Sequence, residues 1–196
     1  KEKKRWKKNR QRAYKGSVTH FLKSTLEGKV YRNGFIVKQF NRKINPKRPT
    51  DKQINYARRY LRENNFPENY SIQLIGKLDS KAKTAFSIIK KSQLPRYIDN
   101  YYHNIDYEQI LKKTDEGYYL SFNNFINLTY RMEKEERNFI RQTSDSERKP
   151  GNQISNLIII KKPVLIDEKG RILNPKNVFY EGYWSFEKFA NALPLD

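Results

Sequence analysis

The residues with the clearest potential for chemistry surround His103. Asp99 precedes this histidine by four residues, and Asp106 and Glu108 follow it closely. Carboxylates beside an imidazole can complete a metal site or orient a general base. The second histidine of the chain is His20, and the HExxH spacing of zinc hydrolases is absent. We therefore interpret this segment as a polar loop and expect neither a metal nor another cofactor.

Other catalytic patterns are equally incomplete. A glycosidase needs two carboxylates on opposite sides of a cleft, whereas acids such as Glu133 and Glu136 are close neighbours in sequence. None of Ser17, Ser71 and Ser185 lies in the G-x-S-x-G elbow of serine hydrolases. The chain has no cysteine and therefore no thiolate nucleophile. We expect a protein that is not an enzyme.

Aromatic residues are concentrated near the C-terminus, where Tyr183, Trp184 and Phe186 are close in sequence. Such rings can stack on a sugar or a peptide, or they can close a hydrophobic core. The helical spacing of Phe186 and Phe189 favours the core. A glycan-binding or glycan-active protein is the third function that we consider.

Charge is the dominant property of the chain. Its 196 residues include 41 basic and 21 acidic side chains, which gives a formal net charge of +20. Residues 1–62 carry 21 of the basic and three of the acidic side chains, whereas the remaining residues are nearly balanced. So steep an asymmetry indicates an anionic partner, which can be an acidic protein, an anionic lipid, lipopolysaccharide or a nucleic acid.

The candidate contact residues lie in the first basic block. They are Arg5, Lys7, Lys8, Arg10, Arg12 and Lys15. Trp6 and Tyr14 are interleaved with them, so that a nucleic-acid-binding domain is the alternative function. No zinc-finger, RRM, KH or helix-turn-helix pattern supports that alternative, and we favour an acidic protein partner.

The elements that would position these residues can be predicted from periodicity. Residues 1–28 have the apolar spacing of one amphipathic helix, and Gly28 is suited to end it. Residues 29–43 predict a hairpin around Asn33-Gly34. Thr50 or Asp51 is expected to cap a second helix.

The rest of the chain alternates between strand and loop patterns. We predict a strand over residues 71–78, an element of ambiguous type over residues 81–91 and one long or two short strands over residues 117–133. Residues 142–153 indicate a mobile loop.

The last part of the chain predicts a second hairpin, which turns at residues 167–170. Ser185 is then expected to cap a short helix. The pattern as a whole predicts an α+β fold with a small, mainly antiparallel sheet of two hairpins and a long strand, packed with the basic N-terminal helix and further short helices. We expect residues 1–196 to form a single module without a membrane-spanning helix.

Four segments resemble a known family. They are Lys4-Arg5-Trp6-Lys7-Lys8-Asn9-Arg10 with Ala13-Tyr14-Lys15-Gly16-Ser17, then Asn45-Pro46-Lys47-Arg48-Pro49, Pro163-Val164-Leu165-Ile166-Asp167, and the stretch from Glu181-Gly182-Tyr183-Trp184 to Leu193-Pro194-Leu195-Asp196. They resemble the region downstream of the β-sandwich in exported carboxypeptidase-like regulatory-domain proteins of the Bacteroidota. The resemblance implies the C-terminal part of a longer exported protein, located in the periplasm or at the cell surface, and it supplies no catalytic residue.

Charge and resemblance together lead to one expected function. We expect a non-enzymatic interaction module of the cell envelope, which docks through its cationic helix on an acidic partner such as an outer-membrane protein complex.

Overall fold

The computed structural model describes residues 2–66, 79–115, 117–123, 125–143 and 145–187. It confirms the predicted α+β class, with short helices beside antiparallel sheets. The chain divides into two compact units, formed by Lys1–Asn41 with Tyr101–Asp196 and by Arg42–Asn100. The sequence alone predicts a single module, so this division is a property that only the structure reveals.

The basic N-terminal segment forms two helices, and the prediction of one helix over residues 1–28 is wrong. Helix α1 is Glu2–Tyr14 and helix α2 is Val18–Leu26. The break is at Gly16, whose left-handed φ of +77° cannot continue a right-handed helix. Ser17 then caps α2 by accepting a hydrogen bond from the next turn.

Residues 29–43 form a turn and a single strand, and the predicted hairpin around Asn33-Gly34 is wrong. These two residues lie in the turn that connects α2 to strand β1, which is Phe35–Ile44. Asn33 donates a hydrogen bond from Nδ2 to Ser24 Oγ at 2.9 Å, which ties the turn back to α2. The dipeptide therefore has the predicted turn chemistry but connects a helix to a strand.

The larger sheet, counted over the described residues, has five strands in the order β2-β1-β5-β6-β8. Its other strands are β2 (Tyr97–Asn104), β5 (Phe125–Lys134), β6 (Asn152–Ile159) and β8 (Val178–Gly182). The central strand β5 pairs antiparallel with β1 and with β6. β1 is distant from β5 in sequence, so this pairing depends on contacts that no local pattern specifies.

The core of the first unit joins α2 to this sheet. Phe21 and Leu22 of α2 are completely buried and form one cluster with Phe35, Ile126 and Leu157 of the strands. Burial of a side chain of this size contributes about 1.5–3 kcal/mol. α2 is therefore the anchor of the N-terminal segment, whereas α1 contributes no fully buried side chain among its described residues.

The smaller sheet has the order β3-β4-β7. Its strands are β3 (Leu111–Thr114), β4 (Gly117–Leu120) and β7 (Leu165–Ile166), and the short helix α5 (Tyr107–Ile110) precedes β3. Residues 117–133 thus contain two strands, β4 and β5, which belong to different sheets. The second predicted hairpin is confirmed, since Ile166 bridges Ile172 across the turn at residues 167–170.

The predicted mobile loop over residues 142–153 extends too far, because β6 already begins at Asn152. It follows helix α6 (Arg137–Ile140), and its second half is tied to the fold. Arg148 binds both carboxylate oxygens of the buried Glu135 at 2.5 and 2.9 Å. The Gly151 N–H donates to the same carboxylate at 2.9 Å, and the pKa of Glu135 is lowered chiefly by the hydrogen bond from Arg148.

The second unit contains the helices α3 (Asp51–Glu63) and α4 (Ser80–Ser92). Thr50 caps α3 in a reciprocal capping box with Gln53, which confirms the predicted start of this helix. The ambiguous segment over residues 81–91 is helical, and Asp79 caps it. A small cluster of Ala57, Leu61, Ala85 and Phe86 packs the two helices together. The strand predicted over residues 71–78 lies outside the described residues.

The last described helix, α7, is Tyr183–Glu187. It follows β8 directly, so that Ser185 lies inside the helix and the prediction of Ser185 as its cap is wrong. Phe189, whose spacing from Phe186 predicts a helix, lies outside the described residues.

Candidate docking surface

Helix α1 is exposed to solvent and carries mainly basic side chains. Every residue from Lys3 to Arg12 is exposed to solvent, and Trp6 retains 59% of its accessible surface. The helix has 13 residues, which corresponds to a length of about 20 Å. Of the predicted contact residues, the structure places Arg5, Lys7, Lys8, Arg10 and Arg12 on α1 and Lys15 directly after it. All of the predicted set except Lys15 therefore lie on one short helix.

The connection between α1 and α2 is held in place by contacts of Gly16, although α1 itself is exposed. Gly16 is buried, its N–H donates to His20 Nδ1 at 3.1 Å, and its carbonyl accepts a hydrogen bond from Trp184 Nε1 at 2.7 Å. A Cβ at this position would lie 2.6 Å from Gln153 Oε1 and 2.8 Å from Tyr130 Cδ1. The direction of α1 relative to α2 is thus fixed by hydrogen bonds and by close packing around Gly16.

His20 contacts three aromatic rings beside Gly16, at the connection between α1 and α2. Its ring lies 4.8 Å from Tyr14, 5.0 Å from Phe35 and 5.8 Å from Tyr130, measured between ring centroids. Nδ1 accepts a hydrogen bond from the Gly16 N–H, so this nitrogen carries no proton and the His20 ring is neutral. Burial lowers the pKa of His20, and the positive charge of Lys15 lowers it further.

This arrangement predicts a pH dependence of stability. In the unfolded chain His20 binds a proton near pH ~6.5, whereas the folded chain resists protonation to a lower pH. Its contribution is therefore present above pH ~6.5 and is lost as the pH falls from there towards the folded pKa. We expect the free energy of unfolding, measured by urea titration, to fall more steeply between pH ~7 and ~5 in the wild type than in His20→Gln. Glutamine keeps a polar side chain but does not titrate, so equal slopes for the two proteins would contradict this role of His20.

A small acidic region lies beside the C-terminal half of α1. Arg12 Nη2 contacts Glu136 Oε1 at 2.9 Å, and the side chains of this ion pair are 72% and 40% exposed. Glu133 lies in the same region, where burial raises the pKa of its carboxyl and the positive charges of Lys15 and Arg12 oppose that rise. Exposed ion pairs contribute little to stability, so Arg12 can exchange Glu136 for another carboxylate at low cost.

The prediction of a polar loop around His103 is wrong, because Asp99 and His103 lie in strand β2. Arg42 binds the Asp99 carboxylate through Nε at 2.7 Å and through Nη2 at 3.0 Å. His103 and Asp106 are exposed to solvent. Within the described ranges, no group of three or more His, Asp or Glu side chains could hold a metal ion.

The predicted aromatic cluster at the C-terminus belongs to the core. Tyr183 and Trp184 are 1% and 5% exposed, respectively. Phe186 is half-buried and packs on Phe139 with 5.5 Å between ring centroids. Since Trp184 also donates its indole N–H to the Gly16 carbonyl, these rings position α1 and do not present a flat platform to solvent.

Two features of the surface were missed by reasoning from the sequence. One is the role of Glu136 as a carboxylate partner of α1, because 124 residues separate it from Arg12. The other is the outer face of α3, where Lys52, Arg58, Arg59 and Arg62 are all exposed. Their helical spacing is a local signal that could have revealed this second basic surface.

No helix in the described part of the chain is long and apolar enough to cross a membrane. Comparison of the chain with protein-family models, with curated proteins and with solved structures found no match.

Proposed function

We propose that this protein is a non-enzymatic interaction module that docks on an acidic protein surface through helix α1. The observation that carries the proposal is an exposed cationic helix whose attachment to the fold is rigid. An arm held in one direction loses little conformational entropy when it binds, which favours recognition by contacts along its length. The locked Gly16 provides this rigidity.

The Arg12–Glu136 ion pair supports carboxylate as the chemistry of the partner. It shows that α1 already binds a glutamate side chain of its own fold. Trp6 lies among the basic residues with 59% of its surface exposed, and tryptophan and arginine are the residues that most often dominate the energy of protein interfaces. An acidic surface with a recess for an indole ring is therefore the partner that fits α1.

The carboxylates near α1 also bear on the alternative of a nucleic-acid arm. Glu133 and Glu136 lie beside its C-terminal half and would repel a continuous phosphate backbone that followed the helix, whereas an acidic protein can place separate carboxylates against the N-terminal half alone. From the resemblance to exported proteins we propose a partner in the cell envelope, with an outer-membrane protein complex as the expected type.

Charge reversal on α1 tests this function. Arg5 and Lys8 lie on one side of the helix, three residues apart, and both are exposed. We expect the double variant Arg5→Glu with Lys8→Glu to bind envelope membranes at least about ten-fold more weakly at physiological salt, because two attractive contacts become repulsive. Binding is measured by cosedimentation, with heparin and plain DNA as competitors.

The matched control reverses two charges elsewhere on the surface. Lys112 and Lys113 are exposed on β3, so that Lys112→Glu with Lys113→Glu changes the net charge equally. If the two double variants lost binding equally, the interaction would depend on net charge alone, which would contradict docking through α1. Sub-micromolar, sequence-independent binding of DNA would favour the nucleic-acid alternative.

A further inference from the structure

The second unit carries its own cationic groove on the outer face of α3. The groove has a volume of about 650 Å³. We give the name α3 face to its described lining residues, which are Lys52, Asn55, Tyr56, Arg58, Arg59 and Arg62. No acidic side chain is among these described lining residues. The α3 face is thus a concentrated positive surface with one aromatic ring.

The folded structure uses the opposite side of α3 for packing. Ile54, Ala57 and Leu61 are the buried residues of this helix, at the spacing of one helical stripe. The residues of the α3 face are exposed to solvent. Like charges three and four residues apart on a helix are mildly destabilising, so stability of the fold does not account for this arrangement.

Other arginines of the same unit are ion-paired. Arg42 binds Asp99, and Arg48 and Arg96 contact Asp51 at 3.2 and 3.5 Å. Within the described ranges, by contrast, no salt bridge is formed by any cation of the α3 face. Its guanidinium groups therefore retain their capacity to bind carboxylates bidentately.

The aromatic member of the face is Tyr56. It is 60% exposed, and the guanidinium carbon of Arg59 lies 5.9 Å from the centroid of its ring. Tyrosine and arginine are enriched at the energetic centres of protein interfaces, where the ring excludes water from the charged contacts. Tyr56 and Arg59 together therefore have the composition that is typical of the centre of such an interface.

The ends of α3 distinguish a protein partner from a nucleic acid. Asp51 begins the helix with a side chain that is 58% exposed, and Glu63, its last residue, is also exposed. A continuous phosphate backbone along the helix would meet the negative charge of Glu63 at the C-terminal end, whereas Arg48 and Arg96 offset the charge of Asp51 at the other end. A folded acidic protein presents separate carboxylates, which can contact the central cations while its own basic groups face the ends.

We propose that the α3 face is a second docking surface, which binds carboxylates of an acidic protein and uses Tyr56 and Arg59 as its centre. The choice of an acidic protein rests on the proposed function, but the groove is a different site on a different compact unit. The two sites can therefore be tested separately in the full-length chain.

The test uses poly-L-glutamate as the acidic probe and oligothymidylate of matched charge as the nucleic-acid probe. We expect Arg59→Glu to weaken polyglutamate binding about ten-fold at physiological salt and Tyr56→Ala to weaken it about three-fold. Lys83→Glu on α4 is the control for Arg59→Glu, because Lys83 is exposed in the same unit but does not line the groove. Both groove residues are exposed, so the melting temperature should not change and checks that each variant is folded.

The outcomes separate this proposal from the function proposed for α1. Equal effects of Arg59→Glu and Lys83→Glu would overturn the α3 face as a site. If, at the same time, charge reversal of Arg5 and Lys8 still abolishes binding, the function of α1 stands alone. Tighter binding of oligothymidylate than of polyglutamate, lost in Tyr56→Ala, would assign the groove to single-stranded nucleic acid and overturn the protein partner.

Discussion

Replacement of Trp184 by alanine should lower the free energy of unfolding by about 4 kcal/mol, which is the cost typical of removing a buried aromatic side chain. Trp184 is 5% exposed and packs on Phe21 and Tyr180, with 5.9 Å between ring centroids in each pair. The substitution also leaves the buried Gly16 carbonyl without the indole N–H. Urea unfolding followed by circular dichroism measures the loss.

Trp184→Phe separates packing from hydrogen bonding. This variant keeps an aromatic ring but removes the Nε1–H that binds the Gly16 carbonyl at 2.7 Å, so we expect a smaller loss of about 1–2 kcal/mol. An unchanged melting temperature of Trp184→Ala together with lost binding of a glycan would contradict the core role and favour the ligand platform.

Gly16→Ala should be the second most damaging change, with a loss of about 3 kcal/mol in the free energy of unfolding from strain and overpacking together. The backbone at Gly16 is left-handed, with a φ of +77°. In addition, a methyl group there would lie 2.6 Å from Gln153 Oε1 and 2.8 Å from Tyr130 Cδ1. Relief of the clash would require α1 to move, so partner binding should weaken as well.

The control for this prediction is Gly28→Ala. Gly28 has a left-handed φ of +65° but is exposed, so that its substitution tests backbone strain apart from a buried clash. We expect a cost of about 1 kcal/mol at this position. Equal costs at Gly16 and Gly28 in urea unfolding would show that packing around the joint is unimportant.

Elements with local signals could be predicted from the sequence. Thr50 and Gln53 form a capping box that a short motif encodes, and α3 begins where that motif predicts. The second hairpin was equally legible, because the turn at residues 167–170 and the flanking apolar runs are contiguous. Both depend on residues within a few positions of one another.

Elements that depend on distant partners could not be predicted in the same way. Asn33-Gly34 has the sequence of a hairpin turn, but Phe35 pairs with Tyr130, which is far away in sequence. The apolar spacing of residues 1–28 predicts one helix that runs through Gly16, whereas the buried, left-handed backbone of Gly16 makes it the break between two helices. Tertiary packing overrides local preference at both places.

The same distinction applies to the candidate site. The exposure of the basic residues from Arg5 to Arg12 follows from their charge, which the sequence shows directly. The fixed direction of α1 does not follow from the sequence, because the hydrogen bond from Trp184 to Gly16 joins residues that are 168 positions apart. What the structure adds to a cationic segment is therefore a fixed direction.

The fluorescence of Trp6 tests docking through α1 most directly. The chain has two tryptophans, and Trp184 is 5% exposed whereas Trp6 is 59% exposed, so iodide quenching of the tryptophan emission of the wild-type chain reports on Trp6 and leaves the hydrogen bond from Trp184 to Gly16 intact. If α1 binds acidic protein surfaces, polyglutamate at physiological salt should shift the Trp6 emission to shorter wavelengths and protect it from iodide quenching, and added salt should reverse both effects. Polyglutamate that binds the protein while the emission and quenching of Trp6 stay unchanged would contradict α1 as the docking element.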